Sequence, residues 1–320
     1  MKTVFVTGIN GLLGTNVVNL LLEKGYRVKG LVRNIEDYKG LQSPHLQLIK
    51  GTLFDDYTTV LSDVDYLVHI AAVTGQNILD FAYYWRINSL ATQQLHQAAT
   101  KSKVKKFVFV SSANTLGYGS KLNPGTEEAF MRQPFNNSIY AQSKKSAENH
   151  LLEYKGEMKT IVVNPTFMLG AYDTKPSSGK IILMAWKKKV IFYPPGGKNF
   201  VHVEDVAKGI LESFTKGRDG EKYLLSNANL SYREFFMKVN RVANQKPMMI
   251  EVPKFILLAV GFIGDVLRQL KVKTSISSVN MRILCINNYY SNRKSMAELN
   301  VNYQSIEKSI SDAVNYFKKN

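Results

Sequence analysis

Through the first half of the chain, short apolar runs alternate with longer segments whose apolar residues recur every three or four positions. The runs fall at 3–7, 27–32, 46–49, 66–70, 107–110 and 160–163. Their length and their Val, Ile and Phe content predict strands buried on both faces. The periodic segments at 15–24, 81–101 and 140–154 predict helices. Alternation of the two predicts an α/β fold, a doubly wound parallel sheet of the Rossmann kind with helices on both faces. No internal repeat or low-complexity linker interrupts it.

After Pro165 the pattern becomes irregular. A loop-rich stretch with Pro176, Gly179, Pro194, Pro195, Gly196 and Gly197 leads into the run 200–203 and a helix from Glu204. From about Ser231 the chain reads as two or three helices with short extended pieces, ending in an amphipathic stretch at 305–318. The expected division is a dinucleotide-binding domain at 1–165, to which 196–227 returns, and a smaller, mostly helical C-terminal substrate lobe made of 166–195 and 228–320. A cleft between them is the expected pocket.

The first turn after the first strand carries the clearest chemistry. Gly8, Gly11 and Gly14 stand three apart between a strand-like and a helix-like segment. Gly8 lets the chain leave the strand tightly, Gly11 lets backbone amides approach a pyrophosphate, and Gly14 lets the helix lie close to the strand. The helix N-terminus then presents unpaired N–H groups and partial positive charge to an anion.

Tyr140 and Lys144 are four apart in a segment that continues as a helix, so both side chains project from one face. An ammonium beside a phenol favours the phenolate, which should draw the Tyr140 pKa down from its ordinary value of about 10 toward proton exchange with a substrate oxygen. Tyr290 and Lys294 share the spacing. What distinguishes the first pair is Ser111 and Ser112, which end the strand at 107–110, because ligands of a parallel sheet gather beyond the carboxyl ends of its strands. A hydroxyl there can hold a carbonyl oxygen while Tyr140 supplies the proton.

The remaining composition narrows the reading. At 320 residues and 45% hydrophobic the chain can bury a large core. Strand-like sequence begins almost at Met1, so no signal peptide is expected, and Cys285, the sole cysteine, excludes an internal disulfide; a reducing, cytoplasmic setting fits. The net charge of +17 is spread along the chain without a nucleic-acid motif, so nucleic acid is not an expected partner. The Lys187, Lys188, Lys189 triplet reads as a solvated helix end. The apolar run 255–264 is too short to span a bilayer and reads first as a helix packed over a pocket or interface, second as a peripheral membrane contact. No histidine or acidic cluster has metal-ligand spacing.

In order and spacing, the motifs TGINGLLG from Thr7, HIAA from His69, Asn88 in a long helix, SSANTLG from Ser111, YAQSK from Tyr140, NPTFMLG from Asn164 and FVHVEDVA from Phe200 resemble the extended branch of the short-chain dehydrogenase/reductase superfamily. Within it the chain is most similar to the dihydroflavonol reductase and 3-beta-hydroxysteroid dehydrogenase group of the NAD-dependent epimerase/dehydratase family. The resemblance implies Ser112 as the serine that positions a carbonyl, with Ser111 as the alternative, Tyr140 as acid and base, Lys144 as its partner that also reaches the nicotinamide ribose, and Asn88 as a supporting member. It implies a cofactor site built from Gly8, Asn10, Gly11, Leu12, Leu13, Gly14, Arg33, Thr52, Leu53, Ala71, Ala72, Pro165 and Thr166, together with Tyr140 and Lys144. Arg33 stands where an enzyme preferring NAD carries a carboxylate, and its planar donors suit a 2′-phosphate, so NADP(H) is expected, with NAD(H) as the alternative. Thr52 replaces the aspartate usual at that position, which puts the adenine contact in doubt. His69 and His202 read as structural.

The implied activity is an NADP(H)-dependent oxidoreductase acting on the carbonyl or alcohol of a small, hydrophobic substrate. A nucleotide-sugar epimerase is the main rival, set back by Arg33, by Asn164 where such relatives often carry arginine, and by Leu116 where they carry tyrosine. A dehydratase would follow the catalytic hydroxyl with an acidic pair, and Ala113 and Asn114 follow Ser112. A non-catalytic NADPH sensor is the reading from another class; the retained Tyr140 and Lys144 count against it. The helices at 81–101 and 140–154 are where such proteins often form homodimers.

Overall fold

A computed structural model describes every residue except 76, 77, 79 and 320. The chain opens with β1 (Thr3–Thr7), α1 (Leu12–Glu23), β2 (Arg27–Val32), β3 (Leu46–Lys50), α2 (Thr58–Leu61) and β4 (Tyr66–His69). Then come α3 (Phe81–Trp85), a π-helical turn at Arg86–Leu90, α4 (Ala91–Lys101), β5 (Lys106–Val110), α5 (Ile139–Glu153) and β6 (Lys159–Pro165). The second half holds β7 (Phe167–Leu169), α6 (Lys180–Leu183), β8 (Val190–Tyr193), β9 (Gly197–His202), α7 (Val203–Lys216), β10 (Lys222–Leu225), β11 (Ala228–Ser231) and α8 (Tyr232–Val242). It ends with β12 (Met248–Glu251), α9 (Lys254–Gln269), α10 (Ser278–Leu284), β13 (Asn287–Asn288), α11 (Arg293–Leu299) and α12 (Ile306–Lys319).

Seven strands form one sheet in the order β10-β6-β5-β4-β1-β2-β3, every pair parallel. Alternate residues of each strand feed two cores. Val4, Val6, Val68, Val108 and Val163 pack with α1 and α7, while Phe5, Leu67, Phe107, Phe109 and Val162 pack with Leu95 and Ala99 of α4 and Ala147 and Leu151 of α5. Burial on both faces is why the runs read as continuously apolar rather than alternating. The strand order reverses between β1 and β4, so the crevice for a ligand opens beyond their carboxyl ends.

A smaller sheet holds β9 paired with β7, β11 and β13, and β8 pairs with β12. Its core stacks Phe200 on Phe235 with ring centroids 4.2 Å apart and gathers Ile306 and Ile310 of α12. Within the 196–227 segment, α7 and β10 join the layers of the large sheet while β9 heads the small one. Beyond Ser231 the described residues form five helices rather than the expected two or three, because α10 and α11, at seven residues each, are too short to show a clear period.

The 255–264 run is helical within α9, yet its large apolar side chains are turned outward instead of packed inward: Phe255 is 72% and Phe262 67% exposed. The inner face carries Gly261 and Gly264, whose missing side chains let α10 and the 276–278 segment approach. Among the described residues no helix is long and apolar enough to cross a membrane.

Candidate active site

Because the large sheet is parallel, the carboxyl ends of its strands lie along one edge, and the residues singled out from the sequence lie at or beside those ends. The glycine turn follows β1, Arg33 follows β2, Ala71 and Ala72 follow β4, Ser111 and Ser112 follow β5, and Pro165 and Thr166 close β6. Thr52 and Leu53 lie beyond β3.

The glycine turn is built as its spacing requires. Gly8 has φ +73°, and a Cβ there would fall 2.7 Å from the Ala71 nitrogen. A Cβ on Gly14 would fall 2.0 Å from the Gly8 carbonyl oxygen. Gly11 caps α1 without any side-chain hydrogen bond, and the first turn of α1 holds no acidic residue. Leu12 and Leu13 bury their side chains and leave their amides facing outward from an uncapped N-terminus, a fit for a pyrophosphate. Asn10, half-buried, stands inside the turn.

Thr7 holds the adjoining loop. Its Oγ accepts from the Ile70 and Ala71 amides, each at 3.1 Å, so its own proton goes to His69 Nδ1 at 2.8 Å. His69 therefore donates from Nε2 to Thr92 Oγ1 at 2.9 Å, and Thr92 donates to the Asn88 carbonyl. Only a neutral ring completes this relay, and burial pushes the imidazole down to about 3. His69 is a strut.

Asn88 sits in the π-helical turn, fully buried. Its Oδ1 accepts from the Val73 amide at 2.7 Å, and its Nδ2 donates to the Val73 carbonyl and to Ser143 Oγ, both at 3.0 Å. Ser143 in turn donates to the Tyr140 carbonyl at 2.8 Å. Asn88 thus ties the loop after β4 to the first turn of α5, and its amide makes these bonds rather than one to the Tyr140 phenol or the Lys144 ammonium.

Ser138 caps α5 and starts the helix two residues before Tyr140. Tyr140, Lys144 and Glu148 then follow at successive turns on one face. Lys144 is 1% exposed, donates from Nζ to the Val110 carbonyl at 2.7 Å and lies 4.0 Å from the Phe109 ring centroid. Burial pushes its ammonium down to about 7, and the Glu148 carboxylate opposes that fall. Burial pushes the Tyr140 phenol up to about 12, the Ser112 hydroxyl pulling the other way. The phenol is therefore not drawn below its ordinary range as the spacing predicts, because desolvation of the anion outweighs the pull of the Ser112 hydroxyl, and the nearby Glu148 carboxylate pushes the same way as burial.

The two serines differ. Ser112 Oγ accepts from the Asn114 amide at 3.2 Å, so its own proton points to another acceptor, and its hydroxyl is the one that pulls on the Tyr140 phenol. Ser111 Oγ is buried without a partner among the described residues. Tyr290 and Lys294 do not form a second pair: Tyr290 is buried against Ala113 and Leu116, before α11, while Lys294 bridges to Glu221 at 2.5 Å.

At the cofactor edge, Arg33 is exposed. Thr52 donates from Oγ1 to Asp55 Oδ1 at 2.7 Å, and its amide donates to the same carboxylate at 3.0 Å, so a carboxylate does stand here, three residues later than the family pattern. Leu53 is half-buried. Thr166 donates to Asn199 Oδ1 at 2.6 Å, tying the end of β6 to β9.

Two features escaped the sequence reading. Glu148 is completely buried and accepts from Thr115 Oγ1 at 2.6 Å and Asn164 Nδ2 at 2.5 Å, with Lys145 at 3.3 Å. A carboxylate four residues after Lys144 was visible; its burial was not. His202, Glu204 and Asp312 also converge within 4.8 Å. Both His202 ring nitrogens are engaged, Nδ1 accepting from the Glu204 amide and Nε2 facing Asp312 Oδ2, each at 3.0 Å, so His202 caps α7.

The chain is similar to known proteins along nearly its whole length. Residues 4–226 match the model of the NAD dependent epimerase/dehydratase family. A Synechocystis sp. protein named as a dihydroflavonol 4-reductase is 29% identical over 98% of this chain and 94% of its own length. A Stigmatella aurantiaca ketoreductase of 4-hydroxy-2-methyl-3-oxo-4-farnesyl-3,4-dihydroquinoline-1-oxide is 30% identical over 83% of this chain and 80% of its own. Among solved structures, gox2253 superposes with a TM-score of 0.84 at 27% identity, covering 100% of this chain and 98% of that one. The chain belongs to the NAD-dependent epimerase/dehydratase family, as an NAD(P)-dependent oxidoreductase of the extended short-chain dehydrogenase/reductase type.

Proposed function

We propose that the protein reduces the carbonyl of a small hydrophobic molecule, or oxidises the corresponding alcohol, with NADP(H) as the preferred cofactor. The carrying observation is that the Ser112 hydroxyl reaches the phenol of Tyr140, one turn from Lys144, at the sheet edge that also bears the glycine turn. The nicotinamide cofactor, when bound, supplies or accepts the hydride. Residues 1–165 with 196–227 would hold it, and 166–195 with 228–320 would shape the substrate pocket.

The chain's own groups account for the proton. At neutral pH a phenol raised to about 12 is protonated, which suits donation to the oxygen of a carbonyl under reduction. Ser112 holds that oxygen through its O–H, and the Lys144 ammonium, fixed by Val110, stabilises the phenolate left behind. Arg33 offers a planar pair of donors to a 2′-phosphate.

A nucleotide-sugar epimerase fits less well. Asn164 is fully buried, and its amide nitrogen is spent on Glu148, Thr115 and the Ser112 carbonyl, leaving no donor for a sugar nucleotide. A dehydratase lacks its acid, since Ala113 and Asn114 form the turn after Ser112.

The test is NADPH and NADH oxidation by the purified protein across aromatic aldehydes, ketones, dihydroflavonols and ketosteroids, with Tyr140→Phe as control. Turnover that prefers NADPH and falls about 10²- to 10⁴-fold in Tyr140→Phe supports the proposal. Cofactor binding without turnover on any of these carbonyls counts against it.

A further inference from the structure

The helix α9 is inverted relative to an ordinary surface helix. Phe255, Ile256, Phe262, Ile263 and Val266 recur at helical spacing on its outer face, and Leu270, 71% exposed, continues the stripe past its end. Beyond Lys254 at its start, the charged side chains of the helix are held inward: Asp265 accepts from the Ser278 amide at 3.1 Å, and Arg268 donates to the Thr274 carbonyl at 3.0 Å. Gly261 and Gly264 fix that orientation, since a Cβ on Gly264 would fall 2.5 Å from the Ile276 oxygen. Exposed lysines then flank the apolar stripe, Lys254 at one end and Lys271 and Lys273 at the other.

We propose that this face docks on an anionic lipid bilayer, with α9 lying in the plane of the headgroups. An outward apolar stripe between basic ends is what a helix at a lipid interface requires. Charge decides between a bilayer and a second copy of the chain. Two α9 helices paired either way would set lysines against lysines at both ends, whereas anionic headgroups neutralise them, and the net charge of +17 acts in the same direction. Docking stands on this surface alone.

The position of the face gives it a use, which rests on the reductase reading. Helix α10, packed on α9, contacts the 135–137 turn just ahead of α5, the helix that carries Tyr140. Docking there would hold the candidate site close to the lipid surface from which an apolar substrate comes.

The experiment is co-sedimentation of the full chain with vesicles of phosphatidylcholine alone or with about one-third phosphatidylserine, alongside size-exclusion chromatography. Binding to the phosphatidylserine vesicles at least about tenfold tighter than to phosphatidylcholine, weakened by salt, is expected. Phe255→Glu with Phe262→Glu, and separately Lys271→Glu with Lys273→Glu, should each weaken it about tenfold or more while leaving circular dichroism and turnover of a water-soluble carbonyl unchanged. Equal recovery with and without vesicles, or binding that survives both double variants, overturns the proposal. So does a dimer in solution that Phe255→Glu with Phe262→Glu dissociates while the parent ignores vesicles, since the face would then be an interface between copies.

Discussion

Asn164 donates from Nδ2 to Glu148 Oε1 at 2.5 Å, beneath the face of α5 that carries Tyr140 and Lys144. The bond joins the end of β6 to the middle of α5 and places a buried negative charge one turn beyond the lysine. Burial alone would strip Lys144 of its proton; the Glu148 carboxylate resists this.

Removing that charge should show in the pH dependence. In Glu148→Gln the Lys144 pKa falls further, so the alkaline limb of the kcat/KM profile moves down by about one pH unit, with KM little changed. Glu148→Asp should restore part of the shift. A profile superimposable on that of the parent would remove Glu148 from the site and leave it a packing residue.

Arg33 is expected to set cofactor choice. Arg33→Ala should weaken NADPH binding about 10- to 100-fold, the effect of losing one or two charge-assisted hydrogen bonds, and leave NADH within about twofold. Fluorescence titration of both cofactors measures this, and equal losses for the two would refute a 2′-phosphate contact.

The glycine turn has a steric signature. A methyl group at Gly14 would meet the Gly8 carbonyl oxygen at 2.0 Å, backbone against backbone, with no flexible side chain to give way. Gly14→Ala should cost about 1–3 kcal/mol or more of stability and reduce cofactor binding, read by urea unfolding and by titration. Gly25→Ala, where nothing lies within 4 Å but φ is +78°, should cost about 1 kcal/mol and leave cofactor binding intact.

Acid should destabilise the protein through His69. Its ring is held near 3 when folded against an ordinary 6.5. Below about 6.5 the unfolded chain takes up a proton that the folded chain refuses, so stability is fully present above that pH and declines as pH falls toward 3, by up to about 1.4 kcal/mol per unit. His96, pushed down to about 4 by burial, adds in the same direction. Urea midpoints at pH 7.5 and pH 5 should differ less in His69→Gln than in the parent; an equal difference would place the acid sensitivity elsewhere.

The alternation of apolar runs and helical periods determined the parallel sheet, because strands buried on both faces and helices buried on one leave different periods in the chain. The glycine spacing determined the tight turn between β1 and α1, since backbone approach depends on the absence of a Cβ and is written residue by residue. The spacing of Tyr140 and Lys144 likewise follows from helix geometry alone. Tertiary structure decided the rest. It alone turned the apolar face of α9 outward and buried Glu148 beneath Lys144. It alone raised the Tyr140 phenol and brought the Ser112 hydroxyl to it. Each of these turns on which groups lose their water, and desolvation is set by neighbours that packing supplies from distant parts of the chain.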